Sequence, residues 1–291
     1  MYKKNLAIAL ITTMVVAFLS CATNTDNKKT QNHPKQLNIS ILLDLSNRIS
    51  TQYPGQADKD LKVIEEIINY FKTDMTNRGA YDANGRLQVY MKPAPNISDI
   101  NSLQSKLIVD CSSMNVQMKK AVYDNIITDF RETLQQIYTE TNQHNDWPGS
   151  DIWRFFQNDV KDYCIEQDTN YRNILVILTD GYIYDVSTTE QYGNRVQNLT
   201  ISKFAKYINV SDPISAMEKD DFGLIAPCND LNNLEVLVLE IAPQNDNQKH
   251  EQILKYCIGK WLKEMGVAKY AVYKTDLPVN TAKRINLFMK Q

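Results

Sequence analysis

The sequence predicts an α/β fold, a doubly wound, mostly parallel sheet with helices on both faces. Three observations lead there. The apolar runs at 39–43, 173–178 and 234–239 are continuous instead of alternating, as in strands buried on both sides. Long segments between the strands carry apolar residues every three or four positions, which marks amphipathic helices. Strands that alternate with helices favour parallel pairing, because each crossover supplies the helix that covers the sheet.

The first strand, Ile39, Ser40, Ile41, Leu42 and Leu43, is too apolar for a sheet edge and ends at Asp44. A helix follows over 57–75, with Leu61, Ile64, Ile67, Ile68 and Phe71 on one stripe. Asp82, Ala83, Asn84 and Gly85 form a turn signal ahead of a second strand at 87–91. Residues 92–115 show no period and read as irregular. A long helix is expected over 117–139, where Val122, Ile126, Phe130, Leu134 and Ile137 align.

A polar loop at 142–149 contains Trp147 and leads to a helix that begins near Ser150 or Asp151 and carries Ile152, Phe155, Phe156 and Val160. The clearest strand, 173–178, runs into Thr179, Asp180 and Gly181, where glycine permits a sharp exit. After the strand at 234–239 come a helix over 247–265, a strand over 269–273 and a helix over 279–289. The stretch 185–230 breaks the alternation. Being long, polar and rich in Asn, Asp and Tyr, it predicts a hairpin or short helices beside Asp180.

The N-terminus follows a different logic. Lys3 and Lys4 precede an apolar run at 6–19 with no acidic residue before Asp26, the order of an export signal. At about 14 residues the run is shorter than the roughly 20 that span a bilayer. Phe18, Leu19, Ser20 and Cys21 resemble the lipobox of bacterial lipoproteins. That resemblance implies a signal peptide at 1–20, lipid on Cys21 and a place in the cell envelope; Ala22 in place of an aspartate implies the outer membrane. Residues 21–37, mostly Asn, Thr, Lys and Gln, then form the lipidated cysteine and a flexible tether. One folded domain is expected over 38–291.

The chain has 32 basic and 34 acidic residues and no basic tract, so nucleic acid is not an expected partner. Cys111, Cys164, Cys228 and Cys257 show no CxxC spacing, which argues against a zinc site. An oxidising exterior permits disulfides among them in any of three connectivities, and Cys164 and Cys257 also fit as buried thiols on helix faces.

Ligands of open α/β sheets bind at the carboxyl ends of strands. Asp44 and Ser46 follow the first strand, Asp180 follows the clearest one, and Ser150 opens a helix. Two aspartates and two hydroxyls, with no thiolate or imidazole, form the hard oxygen set that Mg2+ or Mn2+ prefers. Each residue also has a plain structural role open to it, Asp44, Ser46 or Ser150 as a helix cap and Asp180 with Gly181 as a turn.

Asp44-Leu45-Ser46, Ser150 in Gly-Ser-Asp and Thr179-Asp180-Gly181 together resemble the von Willebrand factor A domain and its metal-ion-dependent adhesion site. The resemblance covers about 38–290 and implies that Asp44, Ser46, Ser150 and Asp180 hold the metal directly or through water. It implies binding to a protein partner whose exposed carboxylate completes the metal shell. Arg48 stands where the family has a second serine, and arginine cannot ligate a cation. Three roles stay open for it: pointing away, pairing with an acidic neighbour such as Asp58 or Asp151, or replacing the metal's charge in carboxylate binding. Arg48, Trp147, Tyr182 and Tyr184 are the expected partner-binding residues, with Tyr192 on the same long loops.

Enzyme classes fit less well, and no catalytic residues are assigned. Position 46 is serine where a haloacid dehalogenase-type phosphotransferase would carry its second aspartate. Gly-x-Ser-x-Gly, Gly-x-Gly-x-x-Gly and the phosphate loop are all missing from a chain with nine glycines. His144 and His250 have no sequence neighbour suited to general-base work. A metal-dependent hydrolase using the same carboxylates and an envelope scaffold with a degenerate site are the alternatives.

Overall fold

A computed structural model describes residues 34–50, 52–144, 147 and 149–290; the export signal, Cys21 and most of the tether lie outside the described residues. The chain folds as α/β. Its main sheet contains β1 (Gln36–Leu43), β2 (Arg86–Met91), β3 (Ile108–Asp110), β4 (Tyr171–Leu178), β8 (Leu234–Ile241) and β9 (Lys269–Lys274), in the order β3-β2-β1-β4-β8-β9. Strands β1, β2, β4, β8 and β9 pair in parallel, and β3 runs antiparallel along one edge. A small second sheet joins β5 (Gln191–Tyr192), β6 (Arg195–Val196) and β7 (Gly223–Leu224).

The continuous apolar strands are buried on both faces. Ile39, Ile41 and Leu43 enter one core with Ile174, Val176 and Leu178, while Leu42, Leu175 and Ile177 enter the other. The first core is closed by α1 (Gln56–Asp82), α3 (Val116–His144) and α8 (Pro278–Lys290), which contribute Ile64, Phe71, Phe130, Leu134 and Ile285. The second is closed by a helix over 152–164, α4, whose middle turn Phe155–Asp159 is π-helical. With it pack α5 (Ile201–Ile208), α6 (Pro213–Lys219) and α7 (Gln248–Glu264).

Several boundaries differ from the sequence reading. β1 starts at Gln36, whose N–H donates to Asn170 O at 2.7 Å, so the sheet begins inside the segment expected to be tether. The region read as irregular at 92–115 holds α2 (Ile100–Ser105) and β3. Both are too short to show a period, and they are fixed by burial of Leu103, Leu107 and Val109. The polar stretch at 185–230 contains both a hairpin, β5 with β6, and two short helices, α5 and α6. Cys111, Cys164, Cys228 and Cys257 are all free thiols; Cys164 and Cys257 are fully buried. No helix among the described residues is long and apolar enough to cross a membrane.

The strand order reverses between β1 and β4, because the chain leaves β1 for β2 on one side and later returns to place β4 on the other. Their carboxyl ends therefore diverge and leave a crevice.

Candidate functional site

The crevice opens into a cavity of about 980 Å³. Seven of the eight residues expected in the folded site line it: Ser46, Arg48, Trp147, Ser150, Asp180, Tyr182 and Tyr184. Asp44 lies just behind the wall, 1% exposed. Tyr192 sits on β5 and does not line the cavity.

Asp44 continues β1, its N–H still donating to Leu178 O at 3.0 Å. One carboxylate oxygen accepts the Ser46 N–H at 2.9 Å and the other accepts the Thr179 hydroxyl at 2.7 Å. Each oxygen keeps a further lone pair. Asp180 is held from both sides, its side chain accepting the Tyr182 N–H at 3.0 Å and its carbonyl accepting the Ala242 N–H at 3.0 Å. Gly181 makes this turn at φ +96°, and a Cβ there would meet Ile241 Cδ1 at 2.9 Å, so no other residue fits without displacement.

Ser150 is brought to the crevice by a two-residue bridge: its N–H donates to Tyr184 O at 3.1 Å and its carbonyl accepts the Tyr184 N–H at 3.2 Å. It caps nothing. The helix cap is Asp151, which accepts the Arg154 N–H at 3.2 Å, leaving Ser150 Oγ buried and without a hydrogen-bond partner among the described residues. A shut-off hydroxyl with no partner is costly in a native fold and calls for a ligand. The Ser46 hydroxyl likewise makes no hydrogen bond to the described residues, and neither serine fills the capping role open to it from sequence.

Burial and the neighbouring Asp44 charge push the Asp180 carboxyl up to about 7, against the opposing pull of the Tyr182 N–H and the Arg48 charge. The edge of Asp180 reaches the cavity, but nearly all of its surroundings are protein. Two carboxylates here repel each other in a poorly solvated crevice.

Arg48 pairs with an acidic neighbour, one of its open roles, but the neighbour is neither Asp58 nor Asp151. Its guanidinium makes a two-pronged pair with Asp60 of α1, at 2.8 and 2.9 Å, and donates to Asp44 O at 3.1 Å. Asp60, 0% exposed, also accepts the Tyr138 hydroxyl of α3 at 2.9 Å and the Gln56 amide at 2.9 Å. Asp58 is exposed on the first turn of α1, and Asp151 pairs with Arg154 at 3.4 Å, so neither serves Arg48. Burial pulls the guanidinium pKa down, but the charge and hydrogen bonds of Asp60 outweigh it and hold it above its usual value. Arg48 borders the cavity, yet its guanidinium donates to Asp60 and to Asp44 O, both protein atoms.

Asp60 and Tyr138 are absent from the sequence reading of the site, and Thr179 enters it only within Thr179-Asp180-Gly181, without its bond to Asp44. Asp60 had a signal. It falls on the buried stripe of α1, four residues before Ile64, where a carboxylate requires a buried cation. The aromatic wall is mixed: Tyr184 is 49% exposed, whereas Tyr182 stacks on Phe204 and accepts the Gln244 N–H at 3.0 Å. Trp147 is half-buried, its indole N–H donating to Asn142 at 3.1 Å.

Among the described residues no three His, Cys, Asp or Glu side chains gather as a metal cluster. A cation here would rest on two carboxylates, serine hydroxyls and water, which the partnerless Ser150 Oγ fits. No family model and no curated protein matches the chain. Among solved structures, it is similar to the pilus adhesin SpaC from Lactobacillus rhamnosus GG, with TM-score 0.41, 10% identity and 89% of this chain covered. A second structure of SpaC, in an open conformation, gives TM-score 0.36 at 10% identity over 88% of this chain. The chain spans about 30% of the length of SpaC in both comparisons.

Proposed function

We propose that the protein is a von Willebrand factor A-like lipoprotein of the cell envelope, on the outer membrane, that binds a protein partner through Mg2+ or Mn2+. Asp44, Ser46, Ser150 and Asp180 hold the cation, which when bound offers an open coordination position to the partner's carboxylate. The observation that carries this reading is the buried Ser150 hydroxyl, without a hydrogen-bond partner among the described residues, in the crevice that also holds Asp180 and Ser46. The paired carboxylates add to it, since their repulsion disfavours the empty site and favours a cation.

The order of the ligands along the chain, each after a parallel strand or at a helix start, supports the family reading. Calorimetric titration of Mg2+ and Mn2+ into the full chain is expected to show one saturable site. Asp44→Ala and Asp180→Ala should abolish it, and Ser150→Ala should weaken it about tenfold or more. Equal heats, or equal silence, from wild type and all three variants would remove the metal from the proposal.

The site is read as one for binding and not for catalysis. His144 closes α3, and His250 lies behind Tyr182, 3.5 Å from its hydroxyl, away from the cavity wall. A hydrolase is the competing reading because Asp180 titrates near neutrality. Ester or phosphate-ester turnover that disappears in Asp44→Ala would put it in place of adhesion.

Lipid on Cys21 completes the proposal, each buried methylene contributing about 0.8 kcal/mol to membrane binding. Cys21→Ser should move the protein from the membrane to the soluble fraction. Retention in the membrane pellet would contradict the anchor.

A further inference from the structure

A second cavity, of about 360 Å³, is lined by α1, α8 and the end of β8 and shares no residue with the crevice. It owes its polar end to an irregularity in β8. Leu237 and Leu239 face the first core and Val236 and Val238 the second, so strict alternation would send Glu240 into the second core. A bulge intervenes: the register with β9 shifts between Val238 and Ile241, Glu240 takes φ +71°, and Ile241 enters the second core in its place. Glu240 lines the cavity instead, 3% exposed.

Two polar groups at that end lack what burial demands. One Glu240 carboxylate oxygen accepts the Thr275 hydroxyl at 2.6 Å; among the described residues the other makes no hydrogen bond, and the carboxylate forms no ion pair. Thr281 of α8, also 3% exposed, lines the same cavity, and its buried hydroxyl has no hydrogen-bond partner among the described residues. A buried carboxylate calls for a cation and a buried hydroxyl for a hydrogen-bond partner. Lys59 and Lys62 border the cavity but are exposed; Lys59 donates to the Thr275 hydroxyl at 3.4 Å, and neither pairs with Glu240.

The rest of the wall selects the kind of cation. Asp276 is committed to Asn280 and Arg284, and Glu65 to Arg131, so a hard metal ion would not find the roughly six oxygens it prefers. Val63, Val279, Ala282 and Ile285 make the remaining surface apolar. An ammonium group on an aliphatic chain meets both conditions, since it supplies the missing charge and three donors while its methylenes cover apolar wall. We propose that this cavity binds a primary alkylammonium ion, its nitrogen donating to the free Glu240 oxygen and the Thr281 hydroxyl and its chain lying on the apolar side. The site is independent of the cation reading at the crevice. The recognised group is the same on a free amine and on a partner's lysine side chain.

The test is calorimetric titration of the detergent-solubilised full chain with butylamine in metal-free buffer, beside butanol, which has the same chain without the charge. Butylamine should fill one saturable site and butanol none. Glu240→Gln should weaken butylamine binding about tenfold or more, and Thr281→Val about three- to tenfold. Nα-acetyl-lysine methylamide carries the same butylammonium group and separates the two sources: tighter binding than butylamine assigns the site to a lysine side chain, weaker binding to a free amine. No binding to wild type, equal binding of butanol, or an affinity unchanged in either variant would overturn the proposal. Binding that appears only in Lys62→Met would overturn it too, because Lys62 would then be the resident cation.

Discussion

Arg48→Met is expected to destabilise the protein by about 3–5 kcal/mol, the range for stranding one half of a buried ion pair. The variant leaves the Asp60 carboxylate, 0% exposed, with only the Tyr138 hydroxyl and the Gln56 amide. For a domain of this size the melting temperature should fall by roughly 10 °C. Arg48→Met combined with Asp60→Leu should recover most of that loss, since an apolar pair of similar volume often replaces a buried ion pair at little cost. Thermal unfolding of the single and double variants decides it. If Arg48→Met melts like wild type, the pair contributes nothing and Arg48 is available for another role. The same chemistry sets the expectation for Arg48→Ser. An arginine facing the cavity would weaken a cation site, and its removal would tighten it. An arginine that ties Asp44 O to α1 and α3 instead keeps the 44–48 turn in place, so its loss should loosen the site along with the fold.

Asp180→Asn is expected to have the opposite sign, and only above acid pH. In the unfolded chain this carboxyl ionises near its ordinary value of 3.8, whereas in the fold it keeps its proton to about 7. The folded state therefore binds more protons between those values, and stability falls as pH rises through that window. Well below pH 3.8 both states are protonated and the penalty is absent; well above about 7 it is complete. The shift sets a ceiling of about 4 kcal/mol, and relaxation around a carboxyl that touches the cavity leaves on the order of 2 kcal/mol. In metal-free buffer at pH 8, Asp180→Asn should melt roughly 4–8 °C above wild type, with the difference shrinking towards zero as pH falls below 3.8. Adding Mg2+ should raise wild type and not the variant, reversing their order. A variant less stable than wild type at pH 8 without metal would show that Asp180 is a structural carboxylate.

What could be read from the sequence divides along a physical line. Strands such as 173–178 and helices such as the stripe from Leu61 to Phe71 were legible because burial imposes a period on many residues at once. α2 and β3 were not, since six and three residues carry no period and owe their form to the core they touch. In the site, Ser46, Ser150 and Asp180 could be placed on one cavity from their positions at strand and helix ends alone. The partner of Arg48 could be narrowed only to an acidic neighbour, because sequence distance does not separate Asp58 from Asp60 and says nothing of Asp151. The apolar stripe of α1 marks Asp60 as buried, but only the packing of α1 against α3 brings Tyr138 to it beside Arg48. Thr179 was visible as part of Thr-Asp-Gly, but its bond to Asp44 needs β1 and β4 to be neighbours.

The course of β1 has a mechanical consequence. The chain enters this strand at Gln36 on one edge of the sheet and leaves it at Asp44 on the other, about 26 Å away over eight residues. If the protein is held upstream of Gln36 while a partner pulls on the 44–48 turn, tension runs lengthwise along β1. That strand is clamped by six paired residues of β2 and eight of β4. Such a load shears both ladders together and does not peel them open one bond at a time. The domain would then resist extension most strongly along the line that joins anchor to ligand.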